Sequence, residues 1–576
     1  MSTGKTALQK TARFLLNWWH YLVVAVAGVT IRSIVPMDIV WGSGHDSQLQ
    51  VVLARNIADG YWLGSELVPE MWVGSQWNLA LAKGIGYPLF LVGANATGLT
   101  PVIVAYLLYL VGAFIVTRSV GEWFGRHWAF GTFVVLTFSP AVFGGEFSRV
   151  YRNHLIAALA LLALGLSLVL ARRLNASRNA DWDRRMLGRG FFLQVAALGI
   201  CFGSLWVTRL DVHWIALTCA IPLCVAGWSV VRRITTIMGI FLPFVATLLT
   251  AAVVIPLTVA TMNGIQYGIF ATDDYGSGPI AETQLLLSKI EAPAVHPLVH
   301  VSAEQRTKAY EVSPTLARIA TQLEDPESPW KSNPVSAQNA FKEAAGWFPW
   351  ELRDAPVRAG LVSTLGELHD FFDSAEAELR AACESEALQC TAPGEFAPGV
   401  RFITEVDRQA FIDQFWIAMR VHSRGAGAPN FFNLTPLGIP ELDQLWTEVV
   451  NGVDTASSPR QVTWPAQFFA RVSEFLVVGL LAIIASSGVA LAIGRRRPRW
   501  SLVLVGIGAI AGMLVNAFIV TWFSLEIGVG VENNVGYLFA AQSFLYVGLI
   551  VLAAALVQPL LSRTQSVGSP DVPESA

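Results

Sequence analysis

A carboxylate, Asp46, stands just past the first apolar stretch of the chain, in Gly44-His45-Asp46-Ser47. The polar, aromatic segment around it continues through Asp59-Gly60-Tyr61-Trp62 to Lys83-Gly84-Ile85-Gly86-Tyr87-Pro88. A charge at a membrane–water boundary costs free energy unless it is solvated, paired or used. A carboxylate there can take the proton of an acceptor hydroxyl, whose own pKa lies far above neutrality, and His45 can orient or tune it. Four cations in connecting segments, Lys83, Arg149, Arg152 and Arg209, are of the kind that holds a phosphate. Arginine does so through a two-pronged hydrogen bond, lysine as a point charge. Asp211, Tyr87 and Tyr151 lie close to them in sequence and are candidates for acceptor binding or support. Each residue has a plainer reading. A loop Asp is commonly just solvated, Arg149 and Arg152 can pair with Glu146, Arg209 can pair with Asp211, and Lys83 can snorkel. Their shared placement on one side of a membrane is what makes them a set.

That placement follows from the elements. Of 576 residues 53% are hydrophobic and 14% charged, against about 25% charged in ordinary soluble domains; the mean hydropathy is +0.50. So much apolar surface needs lipid as solvent. A net charge of −3, with no basic patch interleaved with aromatics, gives no ground for nucleic-acid binding. Apolar runs at 18–37, 100–117, 128–145, 154–171, 190–207, 213–230, 235–262, 467–493, 501–523 and 537–561 predict about ten membrane-spanning helices. The first is preceded by Lys5, Lys10 and Arg13 and followed by no small-residue cleavage site, so it reads as an uncleaved span. Arg118 and Arg126, the Arg172–Arg189 cluster, Arg232 and Arg233, and Arg495–Arg499 alternate with connections poor in Lys and Arg. The positive-inside rule then predicts a multi-pass cell-membrane protein with both termini cytoplasmic. Segment 84–97 is apolar but too short to span, and is expected to lie against the outer face.

The chain thus divides into an N-terminal membrane module, 1–262, with the candidate catalytic loop at 38–99; a mostly helical extracytoplasmic domain, 263–466; C-terminal membrane helices, 467–563; and a disordered cytoplasmic tail, 564–576. The fold class is α. In the domain, Ser313-Pro314 predicts a helix start with Leu316, Ile319 and Leu323 on one face. Thr364 and Glu367 form a capping-box pattern ahead of Leu368, Phe371, Phe372, Ala375 and Leu379, and a further helix is expected through Phe411 to Met419. Cys383 and Cys390 are spaced to close a small disulfide loop. Cys201, Cys219 and Cys224 fall in apolar spans and read as packing residues.

The first loop resembles the polyprenyl-phosphate-sugar-dependent GT-C superfamily, most of all its protein mannosyltransferase and aminoarabinose transferase branch. The resemblance is carried by an Asp soon after the first span and by Lys83-x-x-x-Tyr87-Pro88-Leu89-Phe90. It is specific over about residues 18–120 and topological beyond. It implies that Asp46 corresponds to the catalytic acid of that loop and that Lys83, Tyr87 and Pro88 correspond to the element opening the next helical segment. Two positions depart from the pattern. Ser47 stands where many relatives have a second acid, and Gly84-Ile85-Gly86 replaces a double proline.

The leading expectation is an integral-membrane glycosyltransferase. It would move a sugar from a polyprenyl-phosphate carrier to an envelope glycan, lipid or protein on the outer face, with Asp46 as general base and the basic residues stabilising the leaving phosphate. No cofactor is predicted, a divalent metal is left open, and no Gly-rich nucleotide loop occurs. The alternatives are an outer-face ligase or phosphotransferase centred on Arg353, Asp354 or His369, and a non-catalytic assembly protein or transporter.

Overall fold

A computed structural model describes residues 2–35, 37, 46–63, 81–176, 188–209, 213–231, 242–274, 278–293, 299, 301–328, 330–331, 343–391, 405–424, 448–449, 464–494, 497–526, 531 and 535–561. Regular structure among them is helical, apart from one isolated bridge between Ile290 and Cys390. The N-terminal helices are α1 (Ser2–Ile34), α2 (Asp46–Ala58), α3 (Gly86–Ala96), α4 (Pro101–Phe124), α5 (Arg126–Thr137), α6 (Gly145–Ser148), α7 (Asn153–Ala176), α8 (Arg189–Thr208), α9 (His213–Val231) and α10 (Leu242–Tyr267). Among the described residues seven helices are long and apolar enough to cross a membrane, and Trp18–Ile34, Leu49–Ala58 and His213–Ala226 are shorter apolar helices. The protein is a polytopic α-helical membrane protein.

The run expected to span at 128–145 is built differently. Helix α5 stops at Thr137, and a 3₁₀ turn, Pro140–Phe143, and the short α6 carry the chain on. Pro140 brings no N–H and excludes helical geometry from the residue before it; Ser139 is accordingly extended, at ψ 130°. Segment 84–97 contains an 11-residue helix, α3, whose length is below that of a span.

Packing sorts the helices by depth in the bundle. The most apolar window of α7 is 94% buried, that of α10 only 6%, so α7 is the central post and α10 presents its surface to lipid. Helices in lipid gain little from apolar burial and associate where small residues let backbones approach. Gly199 and Gly203, one turn apart on α8, do this against α10: a Cβ on either would come within 2.5 Å of the carbonyl oxygen of Leu248 or Ala252.

Beyond α10 a helical domain follows: α11 (Pro279–Lys289), α12 (Ala303–Val312), α13 (Pro314–Ala317), α14 (Ala320–Glu324), α15 (Phe348–Arg358) and α16 (Leu365–Glu384). Ser313 caps α13 by accepting from the Leu316 N–H at 3.1 Å, and Leu316, Ile319 and Leu323 are buried. The single helix expected here is two short ones; the β-branched Ile319 lies at the break. Thr364 and Glu367 form a reciprocal capping box on α16, which buries Leu368, Phe371, Phe372, Ala375 and Leu379. Cys383, in the last turn of α16, is joined by a disulfide to Cys390 beyond it, with Cα atoms 5.6 Å apart.

Helix α17 (Glu405–Arg424) packs elsewhere, against the C-terminal helices α18 (Trp464–Ile493) and α19 (Trp500–Glu526); its Phe411 meets Phe518. The short α20 (Val535–Leu538) and α21 (Gln542–Leu561) complete the described chain.

Helix α2 lies at the seam. Its Val51, Val52 and Ala54 belong to the membrane core, whereas Leu49 and Leu53 join Leu81, Ile85 and the helical domain in a second core. Between the two cores runs the helix that Asp46 begins.

Candidate functional site

Asp46 is the first residue of α2; its side chain lies outside the described residues, as do His45 and Asp211 altogether. Ser47 follows, fully buried, and its hydroxyl accepts from Nε of Arg149 at 2.9 Å. This bond links residues 102 apart in sequence and sets the turn between α6 and α7 beside the start of α2. That start is also the positive end of the α2 dipole, which favours an acidic residue there.

The turn is rich in cations. Tyr151 is buried and flanked on its ring by the guanidinium groups of Arg149, at 4.9 Å, and Arg152, at 5.1 Å. Arg209, the residue that ends α8, is buried too; it donates to Asn153 Oδ1 at 3.4 Å and stacks 3.9 Å over Tyr537. Asn153 in turn donates to Glu146 at 3.1 Å. A fourth arginine, Arg32, reaches the same turn from α1 and donates to the Ser148 hydroxyl at 2.9 Å.

A hydrogen-bonded relay fixes the turn from below. The backbone carbonyl of Arg149 can only accept, so His154 donates to it from Nδ1 at 3.1 Å. His154 Nε2 is then the acceptor for the Tyr87 hydroxyl, also at 3.1 Å. Tyr87 is fully buried, and its place here is support of the arginine turn.

Lys83 is half-buried and lies over the Trp350 ring at 4.6 Å. It joins the first loop to α15 of the helical domain. Next to it, Leu81 O accepts from the Asp274 N–H at 3.1 Å. Trp62 Nε1 donates to Asn263 Oδ1 at 2.8 Å, a second tie between this loop and the end of α10.

Glycines give the loop its close seat. A Cβ at Gly84 would fall 2.2 Å from Val207 O, and one at Gly86 would fall 2.3 Å from Thr208 Oγ1. The loop therefore rests on the last turn of α8, immediately before Arg209. This is a physical reason for Gly84-Ile85-Gly86 in this chain.

The residues proposed for a ligase centre are engaged otherwise. Arg353 pairs with Asp274, and His369 Nε2 lies 3.4 Å from the same carboxylate. Asp354 forms an ion pair with Arg358 at 3.0 Å and accepts from Trp330 at 3.3 Å. Burial alone would raise the Asp274 carboxyl, but Arg353 and His369 outweigh it and hold its pKa below the ordinary value. Among the described residues no three His, Cys, Asp or Glu side chains are grouped as a metal site.

The sequence reading passed over Arg32, His154 and Tyr537; it noted Trp350 only within an aromatic-dense stretch, as packing or a sugar- or lipid-contacting surface. Arg32 sits in the last turn of an apolar helix, where a basic residue reads as a membrane boundary. His154 carries no sequence signal beyond its nearness to Arg149, and Trp350 and Tyr537 meet Lys83 and Arg209 only through the fold.

No family model and no curated protein matches this chain. Among solved structures it is loosely similar to the crystal structure of ArnT from Cupriavidus metallidurans in the apo state. The identity is 14% and the TM-score 0.31, over 95% of this chain and 78% of the other. The crystal structure of the same protein bound to undecaprenyl phosphate is similar at 14% identity and TM-score 0.30, over 97% and 78% of the two chains.

Proposed function

We propose that the protein is an integral-membrane glycosyltransferase that moves a sugar from a polyprenyl-phosphate carrier to an acceptor hydroxyl of an envelope glycan, lipid or protein. The observation that carries this reading is the Arg149–Ser47 hydrogen bond. It brings an arginine-rich turn to the residue next to Asp46, which supports reading Asp46 as the base and the arginines as the phosphate-holding cations of one site.

The chemistry divides among these residues. The acceptor oxygen attacks the anomeric carbon and gives its proton to Asp46; the bond from that carbon to the phosphate oxygen breaks, and the polyprenyl phosphate leaves with the electron pair. Arg149, Arg152 and Arg209 oppose the negative charge that gathers on the leaving group. Fixed cations in a site poor in water do this with little reorganisation. Tyr87 and His154 hold the turn in position. Lys83, over Trp350, lies where the first loop meets the helical domain, a position suited to the acceptor side.

The ligase reading has less support, because Arg353, Asp354 and His369 are tied up in ion pairs inside the domain core. Asp46→Asn, assayed in membranes supplied with labelled polyprenyl-phosphate sugars, tests the proposal. Transfer should fall by roughly a hundredfold or more, the usual range for loss of a general base. A rate equal to wild type removes the role of Asp46. Retained activity in Asp46→Asn with loss in Arg353→Ala would move the chemistry to the helical domain.

A further inference from the structure

Arg32 is among the largest fully buried side chains of the protein, 1% exposed. Among the described residues its one hydrogen bond runs from Nη2 to Ser148, and Nε and Nη1 are buried with no partner. No carboxylate pairs with it there. The Phe147 ring lies 5.8 Å from its guanidinium carbon, at the outer limit of a cation–π contact. A buried charge in this state is far costlier than one at a surface, and natural sites relieve the cost with an anion or a complete set of acceptors. Gln50 repeats the pattern. It is fully buried, neither its amide nitrogen nor its oxygen has a partner among the described residues, and it follows Ser47 by three positions on one face of α2. Thus Ser148 and Arg149, successive residues of the turn, are held by Arg32 on one side and by Ser47, with unpartnered Gln50 one turn along, on the other.

We infer that Arg32 is a phosphate-binding residue, whose unpartnered Nη1, on the end edge it shares with Nη2, receives a phosphate oxygen beside the Arg149 turn, with Gln50 as an auxiliary donor. This deepens the glycosyltransferase reading and rests on its lipid-phosphate donor. Arginine presents its Nη1–Nη2 end edge as a planar fork matched to two phosphate oxygens. Phe147, beside the Arg32 guanidinium, packs against Tyr106 and His154, so the group Arg32 would take is an anion held away from bulk water. A polyprenyl monophosphate and free inorganic phosphate share that chemistry.

The full-length protein in lipid nanodiscs is titrated with polyprenyl monophosphate and, separately, with inorganic phosphate, and followed by thermal shift and ³¹P resonance. Arg32→Met replaces the charge with an apolar side chain of similar length; Arg32→Lys keeps the charge without the fork and serves where Arg32→Met does not fold. Wild type should bind polyprenyl monophosphate, Arg32→Met roughly tenfold or more weakly and Arg32→Lys in between. A guanidinium beside the phosphate favours its dianion. The bound phosphate should therefore lose its last proton at lower pH in wild type than in either variant, a change that a merely structural arginine would not produce. Binding of polyprenyl monophosphate with none of inorganic phosphate assigns the lipid headgroup; equal binding of inorganic phosphate assigns a soluble source. Wild-type affinity and an unchanged ³¹P titration in a folded variant overturn the assignment, as does a wild-type protein that binds neither ligand. If Asp46→Asn abolishes transfer while Arg32→Met binds as wild type, only Arg32 is removed. If Arg32 proves to bind the phosphate while Asp46→Asn transfers normally, only the general-base reading is removed.

Discussion

Glu351, on α15, is a fully buried carboxylate with neither oxygen hydrogen-bonded among the described residues, and Lys331 Nζ lies 3.8 Å away. The distance suggests a salt bridge, yet burial outweighs Lys331 and pushes the carboxyl up to about 7. Burial is the better guide, because a 3.8 Å contact without a hydrogen bond repays little of the desolvation cost. The unfolded chain loses this proton near 4.5. Between the two values the folded protein holds the extra proton, so stability falls as pH rises through that window. Below it no penalty exists; above it the whole penalty does. The melting midpoint of the helical domain, followed by tryptophan fluorescence, should therefore drop between about pH 5 and pH 7.5 in wild type and stay level over that range in Glu351→Gln. A parallel decline in both proteins would show that another group titrates. Tyr87 allows a second test at this scale. Tyr87→Phe leaves His154 Nε2 buried without its donor, a loss of about 1–3 kcal/mol. Looser support of Arg149 should lower transfer with the fold intact, and unchanged kinetics would make Tyr87 a packing residue only. Ionisable residues such as Lys83 and Arg149 were legible in sequence because charge is conspicuous beside apolar runs. Arg32 was not, since its burial depends on contacts with a turn more than a hundred positions away.

Helices whose ends are set by neighbouring residues could be read directly. Thr364 and Glu367 satisfy each other's backbone donors at the start of α16, and both halves of that exchange lie within four residues. Thr364→Ala should cost the helical domain about 1 kcal/mol, visible as a lower midpoint with no change in transfer. The break after α5 was misread because a hydropathy window averages over Pro140, while the backbone responds to that one residue. The glycines of the first loop were seen only as a departure from proline. Their reason is tertiary: Gly84 and Gly86 let the Lys83 loop touch the backbone of α8 just ahead of Arg209. In Gly84→Ala something must move, since the obstructing atom is the Val207 carbonyl oxygen at 2.2 Å. A shift of about 1 Å in a reacting site can lower the rate a hundredfold. Transfer should fall by at least about tenfold in Gly84→Ala, while Gly93→Ala, on the open side of α3, should behave as wild type. Equal activity in the two would mean that this contact does not position the site.

At the scale of the whole molecule the helices alternate so that two ends of the bundle differ in chemistry. One end gathers Leu81 and Lys83, the Arg149 turn, Arg209 and, through the Leu81–Asp274 bond and the Lys83–Trp350 contact, the helical domain. The other carries Arg118, Arg126 and Arg172, with Arg118 and Arg172 both paired to Glu122. The arginines of the first end are buried or partly buried and engaged with Ser47, Tyr151, Asn153 and Tyr537, so they do not report sidedness as free loop charges do. The rule that places excess positive charge in the cytoplasm is a rule about short exposed connections, and by it the Arg118–Arg172 end is expected to face inward. The helical domain and the arginine turn should then be extracytoplasmic together, because the contacts at Leu81 and Lys83 tie them to the same end. Single cysteines introduced at Glu327 and at Arg126, both exposed, in a background freed of Cys201, Cys219 and Cys224, test this in intact cells. A membrane-impermeant maleimide should label the Glu327 position at once and the Arg126 position only after the membrane is opened. The reverse pattern would turn the site toward the cytoplasm, where an envelope acceptor is out of reach. Labelling of both positions in intact cells would break the alternation of helices itself, and with it the argument that Asp46, Arg149 and Arg209 share one compartment.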